Sequence, residues 1–407
     1  MGNVPCGGNV PCGIYENHKE YKPMWENQFH ETIDNLCAKH LLRTLTPIDS
    51  ASDTTVIING KKMLAFCSNN YLGFANHPKL KAAAIEAVQT WGVGTGASRL
   101  VSGNIRLYEL LEEKIAAMKS CERALVFNSG YTANIGILSA LIGEGDLILF
   151  DRLNHASLLD GVKLSNGKLR VYRHKDMKQL EGLLSRRSTN QKALIITDGI
   201  FSMDGDIAPL PEIVALADQY DAHIYLDDAH ATGVLGDHGY GTCEHFHLHS
   251  NRIIQMGTLS KALGGFGAFV AGNDLLISYL INKAKSLLYT TALPPSVLAT
   301  AIAALALAAQ EPIHREKLWV NTNQFCKSVM ALGYNTCGSE TPIVPLLIGD
   351  ADRAVAFSKR LMEAGIYVPA IRPPTVPKGQ SRLRITLMAT HTKEQVDFLI
   401  LKLKEIG

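Results

Sequence analysis

Short apolar runs alternating with longer helical patterns fill the middle of the chain and leave few folds open to it. Ala124-Leu-Val-Phe127, Leu147-Ile-Leu-Phe150, Leu169-Arg-Val-Tyr172, Ala193-Leu-Ile-Ile-Thr197 and His223-Ile-Tyr-Leu226 have the length and composition of strands. Between them Tyr131–Ile142, Met177–Arg186 and Leu210–Tyr220 have the spacing of helices. Strands separated by helices are joined by crossovers, so the sheet is mostly parallel, with helices on both faces. After Pro294-Pro295 the rhythm changes. An alanine-rich helix (Ser296–Gln310) leads into a small α+β domain with strands near Thr341–Leu347 and Leu383–Thr386. The expected division is a leader and helical segment over 1–62, a large domain over 63–295 and a small domain over 296–407. Trp25, Phe29, Ile33, Leu36 and Leu41 are spaced for one or two amphipathic helices between Tyr15 and about Leu45. Residues 2–7 and 8–13 repeat Gly-Asn-Val-Pro-Cys-Gly, which reads as a leader.

Bulk properties remove several functional classes. With 46% hydrophobic and 19% charged residues, the chain is an ordinary globular one. A net charge of +2 argues against a nucleic-acid partner. The eight cysteines, from Cys6 to Cys337, form no Cys-x-x-Cys pair, which fits reduced thiols in the cytoplasm better than disulfides or zinc. The N-terminus lacks the basic-then-apolar run of a secretory signal. Met1-Gly2 resembles an acylation start, but Cys6 stands where serine or threonine is needed. The longest apolar run, Leu298–Ala309, is too short to span a bilayer and reads as a buried helix, so no membrane partner is expected.

Ligands of such folds sit at the carboxyl ends of the strands, and the residues with chemical potential fall there. Asp227 ends an apolar strand; a carboxylate there can hold a pyridine nitrogen protonated and make the ring an electron sink. His230 is placed to bond a phenolic oxygen on the same ring. Asp227, Asp228 and His230 could instead ligate a metal, but no further ligand cluster accompanies them, and Asp228 suits a capping role. Lys261, in Gly257-Thr-Leu-Ser-Lys261-Ala-Leu-Gly-Gly265, lies just beyond Ile253-Ile-Gln-Met256. A partly desolvated amine there suits Schiff-base formation with an aldehyde; an exposed lysine in a glycine-rich turn is the alternative. Asn128-Ser-Gly-Tyr-Thr-Ala-Asn134 joins a strand to a helix and offers amides and hydroxyls to a phosphate, or a plain N-cap. His155 could lie flat on an aromatic ring or be a structural histidine.

Gly92-Val-Gly-Thr-Gly96-Ala-Ser-Arg-Leu-Val-Ser-Gly103 follows a helical stretch (Leu80–Trp91) instead of a strand, which excludes a dinucleotide fingerprint. His245, His247 and His249 alternate, but suggest no functional metal. Arg372, Arg382 and Arg384 surround a proline-rich turn, and the guanidinium fork suits a carboxylate.

Together these motifs resemble the α-oxoamine synthases, from about Phe66 to the C-terminus. The resemblance is carried by Ser68-Asn-Asn-Tyr-Leu-Gly73, Asn154-His-Ala-Ser157, Asp198-Gly-Ile-Phe-Ser-Met-Asp-Gly205, Asp227-Asp-Ala-His230 and Gly257-Thr-Leu-Ser-Lys261. It implies a pyridoxal-phosphate-dependent transferase of fold type I. The implied reaction joins an amino acid to an acyl thioester with loss of CO2. Lys261 would carry the cofactor and serve as base, Asp227 would pair with the ring nitrogen, His230 with the ring hydroxyl, and His155 would stack. Gly130, Tyr131 and Thr258 would hold the phosphate, with Thr291 from the neighbouring subunit of a homodimer. Asp198 and Ser202 would lie beside the cofactor and Asn69 near the substrate carboxylate, which Arg384 would bind. Arg43 would meet the distal acid of the acyl chain. The stretch Ala370–Arg384 favours the branch using L-alanine and a pimeloyl thioester of CoA or acyl carrier protein. Asn154–Gly161 and Phe201–Asp206 suit nearly as well the branch using glycine and acetyl-CoA.

Overall fold

The apolar runs pair edge to edge at the centre of the computed structural model, which describes residues 24–188 and 190–407. The thirteen strands, in chain order, are β1 (Thr55–Ile58), β2 (Lys61–Ala65), β3 (Arg123–Phe127), β4 (Leu147–Asp151), β5 (Lys168–Tyr172), β6 (Ala193–Asp198), β7 (His223–Asp227), β8 (Ile253–Thr258), β9 (Ala268–Gly272), β10 (Ile343–Gly349), β11 (Ile366–Tyr367), β12 (Ala370–Ile371) and β13 (Ser381–Thr386). Seven form the central sheet, ordered β3-β9-β8-β7-β6-β4-β5. The β8-β7-β6-β4-β5 pairs are parallel, and β9 runs antiparallel to both β8 and β3.

Both faces of this sheet are dry. Along β3, Leu125 and Phe127 enter one apolar cluster, with Ile137 and Leu138 of the helix Gly130–Leu141. Ala124 and Val126 enter another, with Leu111 and Ile115 of the helix Arg106–Met118. Side chains alternate across a strand, so a strand covered on both sides must be apolar throughout. That accounts for the uninterrupted runs.

The second cluster continues into the C-terminal domain through Leu318, Phe325, Ile343, Leu383, Ile385 and Leu399. There β13 lies between β10 and β12, antiparallel to both. A third sheet binds the chain's two ends: the β1–β2 hairpin turns at Asn59-Gly60, both with positive φ, and β2 pairs in parallel with β11. Asn-Gly suits such a turn. The expected division at residue 62 therefore falls inside β2, a strand of the β1-β2-β11 sheet. The helix Pro295–Gln310 packs against Pro78–Trp91 and Arg106–Met118. Among the described residues, the amphipathic segment holds one helix, Met24–Ala38, with no buried residue. The hexapeptide repeat, Cys6 and Cys12 lie outside the described residues.

Candidate functional site at the carboxyl ends of the parallel strands

The register of β6 on β7 sets Asp198 opposite Asp227, so two carboxylates end neighbouring parallel strands, both buried. Asp227 accepts the Ala229 N–H (3.0 Å) at Oδ1 and an Asn134 Nδ2–H (2.8 Å) at Oδ2. Asp198 accepts the His155 N–H at Oδ2 (2.8 Å), and its own N–H donates to Asn154 Oδ1 (3.0 Å). Burial, and then the neighbouring Asp227, push the Asp198 carboxyl well above its ordinary range.

Lys261 lies in a tight loop beyond β8. Gly264 N–H donates to the Lys261 carbonyl and Gly265 N–H to that of Leu259, each at 2.9 Å. Gly264 has φ +66°, and a Cβ there would sit 2.4 Å from Ala75 N, so the loop needs glycine. Burial lowers the Lys261 amine to about 8, against the opposing pull of Asp227 and Asp198; Arg384 adds to the lowering. With its pKa at about 8, roughly a tenth of the amine is free at pH 7, far more than for an ordinary lysine.

His230 bonds Tyr71 Oη through Nδ1 at 2.7 Å. Burial, then the Lys261 and Arg384 cations, hold it well below its usual range, so the ring is neutral. Tyr71 Oη also lies 3.3 Å from Asn69 Oδ1 and 3.5 Å from Arg384 Nη2, which gathers Asn69, Tyr71, His230 and Arg384 into one group. His155 caps the helix Ala156–Lys163 and contacts Ser157 Oγ through Nδ1 (2.7 Å). Burial lowers its pKa.

The helix Gly130–Leu141 opens on a capping box between Ser129 and Thr132. Those two hydroxyls are thus engaged with each other and the backbone. The first-turn amides left without helical partners are those of Gly130 and Tyr131. The Tyr131 hydroxyl donates to Asp160 (2.7 Å). Thr258 Oγ1 donates to the Gly267 carbonyl (2.9 Å), closing the lysine loop. The Thr291 carbonyl accepts from Asn128, which precedes Ser129 (2.9 Å).

Arg382 and Arg384 share one face of β13, while Leu383 and Ile385 enter the core on the other. Arg384 Nε donates to the Ser202 carbonyl (2.5 Å), and Arg382 pairs with Asp204 (2.5 Å). The third arginine goes elsewhere: Arg372 bonds the His40 and Leu42 carbonyls. Arg43 donates to the Pro373 carbonyl (3.1 Å), at the same turn. Asp228 turns away to Lys119 and Thr242, and no group of three metal-ligating side chains occurs among the described residues.

Sequence reasoning gave no role to three residues here. Tyr71 sat unremarked inside a quoted motif. Asn134 is the one amide side chain in the helix Gly130–Leu141, flanked by Ala133 and Ile135, a signal that could have been read, since a buried amide requires partners. His174 bridges Asp151 (3.0 Å) and Asp206 (2.8 Å), and despite the opposing effect of burial those bonds lift it to about 9. It thereby pins the 201–206 loop that carries Ser202. An apolar cavity of about 620 Å³, lined by Leu141, Ile142, Leu194, Ile253 and Leu276, lies at the opposite, amino end of the strands.

Residues 61–403 match the family of class I and II aminotransferases. The chain belongs to that family. Within it, the chain is 50% identical over 381 residues to 8-amino-7-oxononanoate synthase of Citrifermentans bemidjiense (93% of this chain, 98% of the relative). It is 49% identical over 382 residues to the enzyme of that name from Geotalea daltonii (93% and 97%). The fold superposes with TM-score 0.90 on a serine palmitoyltransferase of S. paucimobilis with bound PLP–myriocin aldimine. That match has 29% identity and covers 95% of this chain and 98% of the other. The residues here fit pyridoxal phosphate: a half-buried amine of lowered pKa, a buried carboxylate for a ring N–H, and two open amides at a helix start for a dianion.

Proposed function

We propose that this chain condenses L-alanine with a pimeloyl thioester, of CoA or an acyl carrier protein, to give 8-amino-7-oxononanoate, CO2 and the free thiol. The observation that carries the reading is Lys261: half-buried, held by no side-chain bond among the described residues, and flanked by Asp227, Asp198 and Arg384. Relatives about half identical to this chain over nearly its whole length bear that enzyme's name.

Pyridoxal 5'-phosphate is the cofactor, and when bound it supplies an electron sink for charge at the amino acid's Cα. The protein's residues do the rest. Asp227, oriented by Asn134 and Ala229, holds a proton at the ring nitrogen. Neutral His230 offers Nε2 to the ring hydroxyl, because Nδ1 is committed to Tyr71. His155 stacks on the ring, and Asp198 and Ser202 lie beside it. Gly130 and Tyr131 hold the phosphate, with Thr258 and a second subunit's Thr291 completing the cradle. Arg384, anchored on Ser202, binds the alanine carboxylate near Asn69, and Arg43 takes the distal acid of the acyl chain. Lys261, neutral above about pH 8, removes the Cα proton. The Cα would then attack the thioester carbonyl and expel the thiolate, which leaves as the free thiol on protonation. The β-keto acid would lose CO2, and reprotonation at Cα, with Lys261 placed to return the proton, would give the amino ketone.

Two copies of the chain sharing their sites is the assembly this reading requires. It is supported by apolar side chains left exposed in segments adjoining the site: Val93, Leu100, Val101 and Tyr289. Six free cysteines among the described residues support a reducing, cytoplasmic setting. The deciding experiment is thiol release by cofactor-loaded protein, with L-alanine or glycine against pimeloyl-CoA or acetyl-CoA. Release confined to alanine with the long diacid thioester is expected. Preference for glycine with acetyl-CoA moves the chain to 2-amino-3-ketobutyrate CoA ligase.

A further inference from the structure

Asn134 is 1% exposed and every hydrogen-bonding atom of its side chain is engaged. Oδ1 accepts from Tyr225 Oη (2.8 Å), and Nδ2 donates both to Asp227 Oδ2 (2.8 Å) and to Ser157 Oγ (2.8 Å). The reversed amide would press an oxygen acceptor against the Asp227 carboxylate, so the carboxylate fixes the amide's direction. Ser157 Oγ accepts from Asn134, and its own proton then goes to its other neighbour, His155 Nδ1, at 2.7 Å. The Ser157 backbone N–H also reaches Nδ1, at 3.3 Å. A ring nitrogen receiving two donors carries no proton. The neutral imidazole therefore carries it on Nε2.

We propose that Asn134 is a positioning residue: one amide orients Asp227 for the ring nitrogen and, through Ser157, holds His155 as the neutral Nε2–H tautomer. This deepens, and rests on, the reading that the site takes pyridoxal phosphate. A protonated His155 would compete for Asp227 and set a second cation beside Lys261. The groups acting on His155 are Asp227 and Asp160, which favour its charge, and Lys261, which opposes it; Asp198 accepts its backbone N–H. Burial is the larger influence, and it acts in the same direction as the bond order.

The test uses Asn134→Leu and Ser157→Ala. It measures pyridoxal-phosphate affinity by absorbance titration and ring 15N shifts of labelled histidines, in cofactor-free and cofactor-loaded protein. Wild-type His155 is expected to show the single Nε2–H tautomer at neutral pH. Asn134→Leu should weaken cofactor binding about tenfold, the scale of a lost hydrogen bond to a buried charge, and release His155 into mixed protonation states. Ser157→Ala should release His155 alone, leaving affinity within about twofold, because Asn134 still bonds Asp227. Unchanged affinity in a folded Asn134→Leu protein overturns the Asp227 half of the proposal. A wild-type His155 protonated at Nδ1 overturns the other half, and that measurement needs neither variant nor cofactor. Failure of the wild-type protein to bind pyridoxal phosphate at all would instead sink the cofactor reading, with the tautomer still decided on cofactor-free protein.

Discussion

Two lysines, Lys119 buried and Lys261 half-buried, lie beside the two aspartates that end one strand, and they have opposite fates. Lys119, just past the helix Arg106–Met118, donates to Asp228 Oδ2 (2.9 Å) and to the Tyr240 carbonyl (2.5 Å); both side chains of the ion pair are 1% exposed or less. Asp228 also accepts the Thr242 hydroxyl (2.6 Å) and backbone N–H. Lys261, on the other side, has no hydrogen bond or ion pair to its ammonium among the described residues, and desolvation is the main influence on its proton. Successive residues point to opposite faces of a strand end. Asp227 therefore meets Asn134 on one covering helix, while Asp228 meets Lys119 beside another. An amine given two acceptors, one of them its ion-pair partner, becomes structure, and one denied them becomes a reagent.

Exchanging those fates should be costly in different currencies. Lys261→Ala removes both the cofactor's attachment point and the base. Thiol release should fall by at least about 10⁴-fold, the upper end for loss of one acid–base group, with the Schiff-base absorbance gone and thermal unfolding nearly unchanged. Full turnover in that variant would refute the assignment. Lys119→Met should do the reverse. It strands Asp228 as an uncompensated buried charge, costing about 3–5 kcal/mol of stability, while the folded fraction keeps the Schiff-base absorbance. Chemical denaturation of the two variants side by side measures the contrast. If Lys119→Met unfolds at the wild-type midpoint, the ion pair holds nothing together.

This division was half visible in the residue order. Asp227 and Lys261 were legible because an apolar strand followed by a single ionisable residue announces what the strand end presents. Five strands of the central sheet were legible for the same reason. β9 was not, since Ala268-Phe-Val-Ala-Gly272 follows β8 with no helix between them and runs antiparallel, outside the strand–helix alternation. β1 and β2 were missed because they are only four and five residues long, two lysines open β2, and β2's other partner, β11, lies some three hundred residues on. In sequence, Arg372, Arg382 and Arg384 group around one proline-rich turn, although Arg384 falls in the expected strand Leu383–Thr386. The extent of β13 and its pairing with β10 show that Arg382 and Arg384 share a strand face. Asp228's lysine is unreadable from sequence, since Lys119 ends a helix more than a hundred residues earlier and looks like any solvated helix terminus. Long-range pairing of that kind is decided by packing.

The smallest effect is also the most exacting test of the difference between the two amines. With its folded pKa near 8 against an ordinary 10.5, Lys261 should capture a small aldehyde such as pyridoxal at a rate that levels off above about pH 8. Below that the rate should fall about tenfold per pH unit, as the free amine does. Lys119, bonded and covered, should stay unmodified throughout. The same shift has a linked consequence for folding. Between about 8 and 10.5 the unfolded chain holds a proton that the folded one has lost, so the cofactor-free protein should gain stability as pH rises through that window. The penalty for burying the amine is fully present below it. Neighbours tune the midpoint with definite signs: Arg384 lowers the amine's pKa and Asp227 raises it. Arg384→Ala should therefore move the capture midpoint up and Asp227→Asn move it down. Mass spectrometry of borohydride-trapped protein across pH reads both. A capture midpoint near 10.5 in the wild type would mean that Lys261 is solvated like any surface amine, and the distinction from Lys119 would then rest on bonding alone.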